Sequence, residues 1–238
     1  DVLAHDTNDL YTYAKFAFGR SYKTKPELAQ REIVVLDQGT GLEDPVVVVA
    51  DRVRTVAETA KSFLMHTRAK PIGGGTTTIT ADDGKGRLFA RILLPDVATW
   101  SGEKNGDAYR NRVESTGTDL ESLTVLQAST TKTEKMLETE LVTGLRGLLA
   151  AERCVVFADD ASPGKISFSH PKRSERTLYV ICGLSPDKGY QVKVQRRGSG
   201  IAVTLGPGSD LMASRAGIIA FHGSLRGVKE VGSGTKSK

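Results

Sequence analysis

Four consecutive valines and an alanine, Val46 to Ala50, are closed by Asp51-Arg52-Val53, and they are one of a series of short apolar runs. Arg31 to Leu36 precedes them; Phe63 to Thr67 and Arg87 to Pro95 follow. Runs of four to eight such residues, rich in β-branched side chains and bounded by turn clusters, read as strands. A run that is apolar at consecutive positions implies burial on both faces, as in the centre of a layered sheet. Gln38 to Pro45, with Gly39, Gly41 and Asp44-Pro45, has the chemistry of the intervening turn.

The same reading extends along the chain. Leu10 to Phe18 places Tyr11, Tyr13, Phe16 and Phe18 near period two, a half-buried strand, and Ser21 to Ala29 reads as a surface connection. Lys61 to Arg68, Thr76 to Ala81 and Arg87 to Leu94 continue the pattern. Pro71 to Gly75 and Asp82 to Gly86 read as hairpin loops between them. Trp100 to Gly106 is a polar break, and Leu120 to Ala128 is another strand. Met136 to Thr143, Ala151 to Ala158, Lys165 to Ser169, Thr177 to Leu184, Tyr190 to Gln195, Ile201 to Leu205 and Ala216 to His222 complete the series. The expected class is all-β, an antiparallel multi-sheet β-sandwich. Residues 1–130 read as layered antiparallel sheets, 131–228 as a smaller C-terminal sandwich, and 229–238 as a disordered tail.

At 238 residues the chain can bury a sizeable core. No apolar run approaches the ~20 residues of a membrane span. It begins at Asp1, which reads as a mature or excised product whose export signal has gone. The formal net charge is +5, which describes either a solvated surface or attraction to a polyanion. Nucleic acid is not the expected partner, because no RNP-type aromatic run, zinc-finger spacing or long basic helix is present. An acidic polysaccharide fits the charge equally well. Cys154 and Cys182, the two cysteines, sit in apolar runs and read as buried thiols, with a disulfide as the alternative in an exported protein.

Self-contained chemistry is missing from the pattern. His5, His66, His170 and His222 are the four histidines, and none has a partner at metal or catalytic spacing, so no metal or cofactor is expected in this chain. His5 and Asp6 read as a surface pair, His170 as a loop residue before Pro171, and His222 as a strand end. His66, at the end of an apolar strand, reads as a core histidine, with a groove-facing role as its alternative. Gly73 to Gly75, Gly84 and Gly86 are hairpin glycines rather than a phosphate loop, since strands and not a helix follow them. Asp51 and Arg52 read as an ion pair at a strand end. The substrate-binding candidates are Tyr11 and Tyr13, with Tyr22 just beyond, because tyrosine can stack on sugar rings; packing of the alternate tyrosines in the core is the reading preferred to it. Arg173, Arg176, Arg196 and Arg197 join them, because the guanidinium fork suits sulfates and carboxylates. Arg196 and Arg197 are equally a charged hairpin tip.

Taken in serial order, the segments resemble the β region of heparinase II/III-like polysaccharide lyases. They are Tyr11–Ala14, Arg20–Tyr22, Gln30–Leu36, Val47–Val53, Phe63–Thr67, Gly86–Pro95 and Leu123–Gln127. Cys154–Phe157, Leu178–Val180, Leu184 and Gly189-Tyr190 are similar to that family's final sandwich. The resemblance runs from Leu3 to His222 and lies in the order of the segments, each of which alone is only strand-like. It implies a C-terminal β scaffold that forms one wall of a substrate cleft against an N-terminal helical toroid, as a domain or a separate chain. It also implies β-elimination on uronate-containing polysaccharide of glycosaminoglycan type, in a secreted or periplasmic bacterial setting. The family's catalytic histidine- and asparagine-bearing segments lie upstream of Asp1, so no catalytic residue carries over and the chain is expected to be inactive alone. A structural metal belongs to the full-length family proteins, and His66 matches a position taken as structural. The alternative is a free-standing carbohydrate-binding or self-assembling β-sandwich module, since sheet edges pair between chains.

Overall fold

The structure is a computed structural model that describes residues 1–22, 26–36, 44–158, 164–171 and 174–230. Arg173, one of the candidate residues, lies outside the described residues, as do 231–238 of the expected tail. The chain divides into two compact units, Asp1–Met136 and Leu137–Lys238. Both are built of strands, which bears out the all-β, multi-sheet expectation. No helix among the described residues is long and apolar enough to cross a membrane.

In the first unit the strands are β1 (Val2–Thr7), β2 (Tyr11–Ala17), β3 (Leu28–Leu36), β4 (Val46–Thr67), β5 (Thr78–Asp82), β6 (Arg87–Leu94), β7 (Ser101–Asn105) and β8 (Ala108–Ser129). They form one antiparallel sheet in the order β1-β2-β3-β4-β8-β6-β5, and β7 pairs with β8. Val46, Val48, Val49 and Ala50 are all buried, as four valines in a row imply.

β4 and β8 are each 22 residues long and pair from Val46↔Gln127 to Thr67↔Tyr109. The separate strands expected at 45–53 and 61–68 are therefore one strand. Its register shifts between Arg54 and Thr59, opposite Asp119 and Gly117. Extra residues on one strand of a pair bend it. Val49 from the first half and Phe63 from the second then share a core with Ile79, Ile92, Val113 and Trp100. Phe63 meets the Trp100 ring edge-on at 5.9 Å, and the indole N–H donates to the Thr77 carbonyl at 3.2 Å.

Three local expectations change here. Pro71 to Gly75 is not a hairpin loop, because β8 and β6 lie between β4 and β5. The polar break at 100–106 contains buried Trp100 and strand β7, whose five residues are all exposed. Asp51 and Arg52 do not pair with each other, since successive strand residues point to opposite faces. Asp51 instead meets Arg31, and Arg52 lies 3.6 Å from Glu121.

In the second unit the strands are β9 (Thr139–Leu141), β10 (Arg146–Ala150), β11 (Arg153–Phe157), β12 (Ile166–Pro171), β13 (Thr177–Cys182), β14 (Gly189–Arg197), β15 (Gly200–Pro207), β16 (Leu211–Met212), β17 (Ile219–Ser224) and β18 (Gly227–Glu230). They make a six-stranded sheet, β18-β17-β13-β11-β10-β9, and a four-stranded sheet, β12-β15-β14-β16. Leu149, Cys154, Val156, Tyr179, Ile181 and Phe221 of the first share one buried cluster with Phe168, Val203 and Leu205 of the second. β11 and β13 run parallel, an exception to the antiparallel expectation. β12 crosses to the other sheet between them, the connection a parallel pair requires.

His170 is a buried β12 residue and not a loop histidine. Its Nε2 lies 2.8 Å from the Tyr179 hydroxyl and its Nδ1 2.7 Å from the Pro171 carbonyl. Cys154 and Cys182 are both buried, and they are not joined in a disulfide. Among the described residues no group of three or more His, Cys, Asp or Glu is placed to hold a metal ion.

Candidate functional site

The site with the most developed geometry lies in the first unit, where β3 and β4 meet the turn after β2. Arg31 and Asp51 are direct cross-strand partners, so their side chains share a face. The guanidinium grips the carboxylate through both arms of its fork, Nε to Oδ1 and Nη2 to Oδ2, each at 2.7 Å. Nη1 is left over for another acceptor. The Arg31 guanidinium carbon also lies 5.2 Å from the Phe63 ring centroid and 5.9 Å from that of Phe18, a double cation–π arrangement. Hydrogen bonding to Asp51 holds the Arg31 pKa above its ordinary value, and burial opposes that shift.

The local backbone explains why the aromatic rings stand there. β2 ends at Ala17, and the Phe18 N–H donates to the Ala29 carbonyl at 3.0 Å, pinning that ring beside β3. A short 3₁₀ turn, Gly19–Ser21, then delivers Tyr22, whose ring tilts against Phe18 at 6.0 Å and is half-exposed. Lys61 closes the other side. It is 7% exposed, and its ammonium donates to the Gly117 carbonyl and, at 3.4 Å, to that of Thr59. Val56 and Leu64 form an exposed apolar rim. The space enclosed is ≈ 550 Å³, within the range of small-molecule sites, with apolar walls and a few converging polar groups. Such a site can stack a flat or ring-shaped ligand on Tyr22 while Arg31 and Lys61 meet its oxygens. It holds no acid–base pair aimed at a shared reacting position.

The candidates from the sequence do not converge. Tyr11 and Tyr13 are 3% and 1% exposed, with their hydroxyls on Asp6 (3.0 Å) and Glu32 (2.7 Å). Their rings fill the interior and offer no face to a sugar. His66 is exposed, against the core reading, because Phe63, Met65 and Thr67 take the inward positions of β4. It lines a separate cleft of ≈ 510 Å³ with Arg68, Lys85 and Arg87. Arg176 is exposed in the second unit, where it lines a cleft of ≈ 590 Å³ with His222, Arg226 and Lys229. His222 is inside β17 and not at its end. Arg196 and Arg197 are exposed at the β14–β15 tip, where Arg197 pairs with Gly200. Arg31, Asp51, Phe18, Phe63 and Lys61 are the residues that sequence reasoning passed over. A signal for two of them was present: aligning the runs 31–36 and 46–51 antiparallel, end to end, sets Arg31 opposite Asp51.

No protein-family model and no curated protein matches the sequence. Among solved structures, a heparan sulfate lyase HepC mutant from Pedobacter heparinus matches with a TM-score of 0.51 at 11% identity. The match covers 71% of this chain and 26% of that one. A second structure of heparan sulfate lyase HepC from the same organism matches at 12% identity over 62% of this chain and 25% of the other, with a TM-score of 0.47. The likeness is remote and is one of fold: an all-β, multi-sheet architecture resembling the heparinase-like β-sandwich. The chain spans about a quarter of the length of that lyase.

Proposed function

We propose that this chain is the β portion of a polysaccharide-lyase-type protein and binds acidic, uronate-containing polysaccharide in the pocket of the first unit. The observation that carries the reading is Tyr22 standing half-exposed in the pocket that Arg31 and Lys61 also line, a stacking surface in one space with two cations for carboxylate and hydroxyl oxygens. The fold likeness to a heparan sulfate lyase and the net charge of +5 support the same substrate class. On this reading β-elimination requires catalytic groups from a helical toroid, as a preceding domain or a partner chain. The β portion alone binds without cleaving, in a secreted or periplasmic setting.

The test is titration of the chain with uronate-containing oligosaccharides, with absorbance near 232 nm followed for unsaturated product. Saturable binding without product is expected, and Tyr22→Ala should weaken it about 2–10-fold. Absence of binding at millimolar oligosaccharide overturns the reading, and turnover by this chain alone overturns the division of labour. A free-standing carbohydrate-binding module is the second reading. It is favoured by one observation: every residue lining the pocket lies within Asp1–Met136.

A further inference from the structure

We propose that the β17–β18 edge of the six-stranded sheet in the second unit holds a tetrahedral oxyanion, a phosphate or sulfate group, where Arg176, His222 and Lys229 converge. This site is separate from the pocket of the first unit and does not rest on the glycan reading.

Strand register builds it. Leu178 of β13 is the direct partner of Arg153 on β11 and of His222 on β17, and His222 is in turn the partner of Lys229 on β18. Direct partners share a face, so Arg153, His222 and Lys229 form one row across four strands. Their neighbours Cys154, Tyr179, Phe221 and Val228 belong to the core on the opposite face, so the row lies on the face turned away from that cluster; Leu178 within it is buried, and the row opens to solvent at its β17–β18 end, where Lys229 is exposed. Arg176, next to the start of β13, and Arg226, in the β17–β18 turn, complete the lining of a ≈ 590 Å³ cleft. Three full cations therefore surround one imidazole, and Glu175 is the lone carboxylate among the lining residues.

Like charges gathered around a titratable group are costly unless a counter-charge joins them. His222 registers that cost. Burial, then Arg176, Arg153 and Lys229, hold its pKa below the ordinary histidine range. Its Nδ1 is buried with no hydrogen-bond partner among the described residues. An oxyanion supplies the missing charge, accepts from arginine and lysine donors, and favours the imidazolium form. The charged groups that set this balance are Arg153 on β11, Glu175 and Arg176 before β13, Arg226 in the turn and Lys229 on β18. By linkage, binding of an anion that raises the His222 pKa is coupled to proton uptake by the imidazole, so the anion binds more tightly as pH falls.

The experiment follows the imidazole resonances of the full chain by NMR. His222 is assigned through His222→Gln, and inorganic phosphate or sulfate is titrated against chloride at constant ionic strength. A saturable shift of the His222 signal and a raised His222 pKa at saturation are expected, with His5, His66 and His170 as internal controls. Arg176→Gln and Lys229→Gln, both at exposed positions, should each weaken binding about tenfold. A second arm asks whether a sulfated oligosaccharide, but not an unsulfated one, moves the same signal. That pattern assigns the oxyanion to a sulfated chain, whereas a response to inorganic anions alone assigns it to a free ion. A His222 response no different from that to chloride, in every arm, overturns the proposal.

Discussion

Arg31 and Asp51 face each other across β3 and β4, and the guanidinium donates two hydrogen bonds of 2.7 Å to the carboxylate, with the Asp51 side chain 6% exposed and the Arg31 side chain 34%. Removing one partner of a buried pair leaves the other charge without its complement. Asp51→Asn is expected to destabilise the first unit by about 1–3 kcal/mol, below the full cost of a buried orphan charge because solvent reaches Arg31. The measurement is the urea midpoint by circular dichroism. The double variant Arg31→Met with Asp51→Leu should recover much of the loss, since an apolar pair of similar size carries no desolvation cost. An unchanged midpoint in Asp51→Asn would show that the fork contributes nothing net.

What the sequence conveyed and what it withheld follow from burial. Val46–Ala50 and Thr177–Cys182 were visible because both faces of those strands are covered. Arg54 to Ala60 broke the reading of β4 because that stretch is almost wholly exposed and carries no apolar period; it is registered on β8 only at its ends, Arg54 and Thr59-Ala60. β7 escaped for the same reason, with all five residues in solvent. The Arg31–Asp51 contact joins residues 20 apart and exists only once a register is chosen. His222 read as no more than a strand end because its cationic neighbours come from three other strands or their ends. The candidate tyrosines had the opposite fate: period two marked Tyr11 and Tyr13 correctly as strand residues, but it does not say which face is covered.

The imidazole of His170 packs 5.6 Å from the Tyr179 ring, with their polar atoms 2.8 Å apart. Burial lowers the His170 pKa, so the folded chain holds it neutral where the unfolded chain would protonate it. The unfolded state then binds more protons, and this contribution to stability is complete above the unfolded pKa of about 6.5 and is lost as pH falls through the folded value. Urea midpoints of the parent chain and His170→Gln, compared at pH 8 and pH 5, should show a steeper loss on acidification in the parent. Parallel losses in the two would remove His170 from the account. His222 shifts in the same direction and is present in both proteins, so it does not enter the difference.

Gly183 follows β13 with φ +79, and a Cβ built there would lie 1.9 Å from the Ala158 carbonyl oxygen. The Ala158 N–H donates to the Cys182 carbonyl at 2.8 Å, so the two chain segments are already tied at van der Waals limits. Gly183→Ala combines a left-handed backbone, which costs an L-residue about 1–3 kcal/mol, with a clash that only backbone movement relieves. A clear fall in melting temperature is expected. Gly198→Ala serves as the comparison, because it also has positive φ but meets nothing within 4 Å, and it should fall less. Equal losses would leave backbone conformation, and not the close approach, as the cause.

Cys154 and Cys182 occupy neighbouring parallel strands but different rungs: Cys154 pairs with Tyr179, and Cys182 with Phe157. Three residues of offset separate them by about 10 Å along the strand, beyond the ~7 Å Cα limit of a disulfide. Burial also pushes the Cys154 thiol well above its ordinary pKa, so almost no thiolate forms at neutral pH. The native chain is therefore expected to react with neither a disulfide reagent such as DTNB nor an oxidising glutathione buffer. Both thiols should titrate in guanidinium chloride. The readout is the count of modified cysteines by intact mass before and after unfolding. An internal disulfide in the native, oxidised chain would require β11 and β13 to slip relative to each other, and its detection would overturn the pairing of Cys154 with Tyr179 and of Cys182 with Phe157.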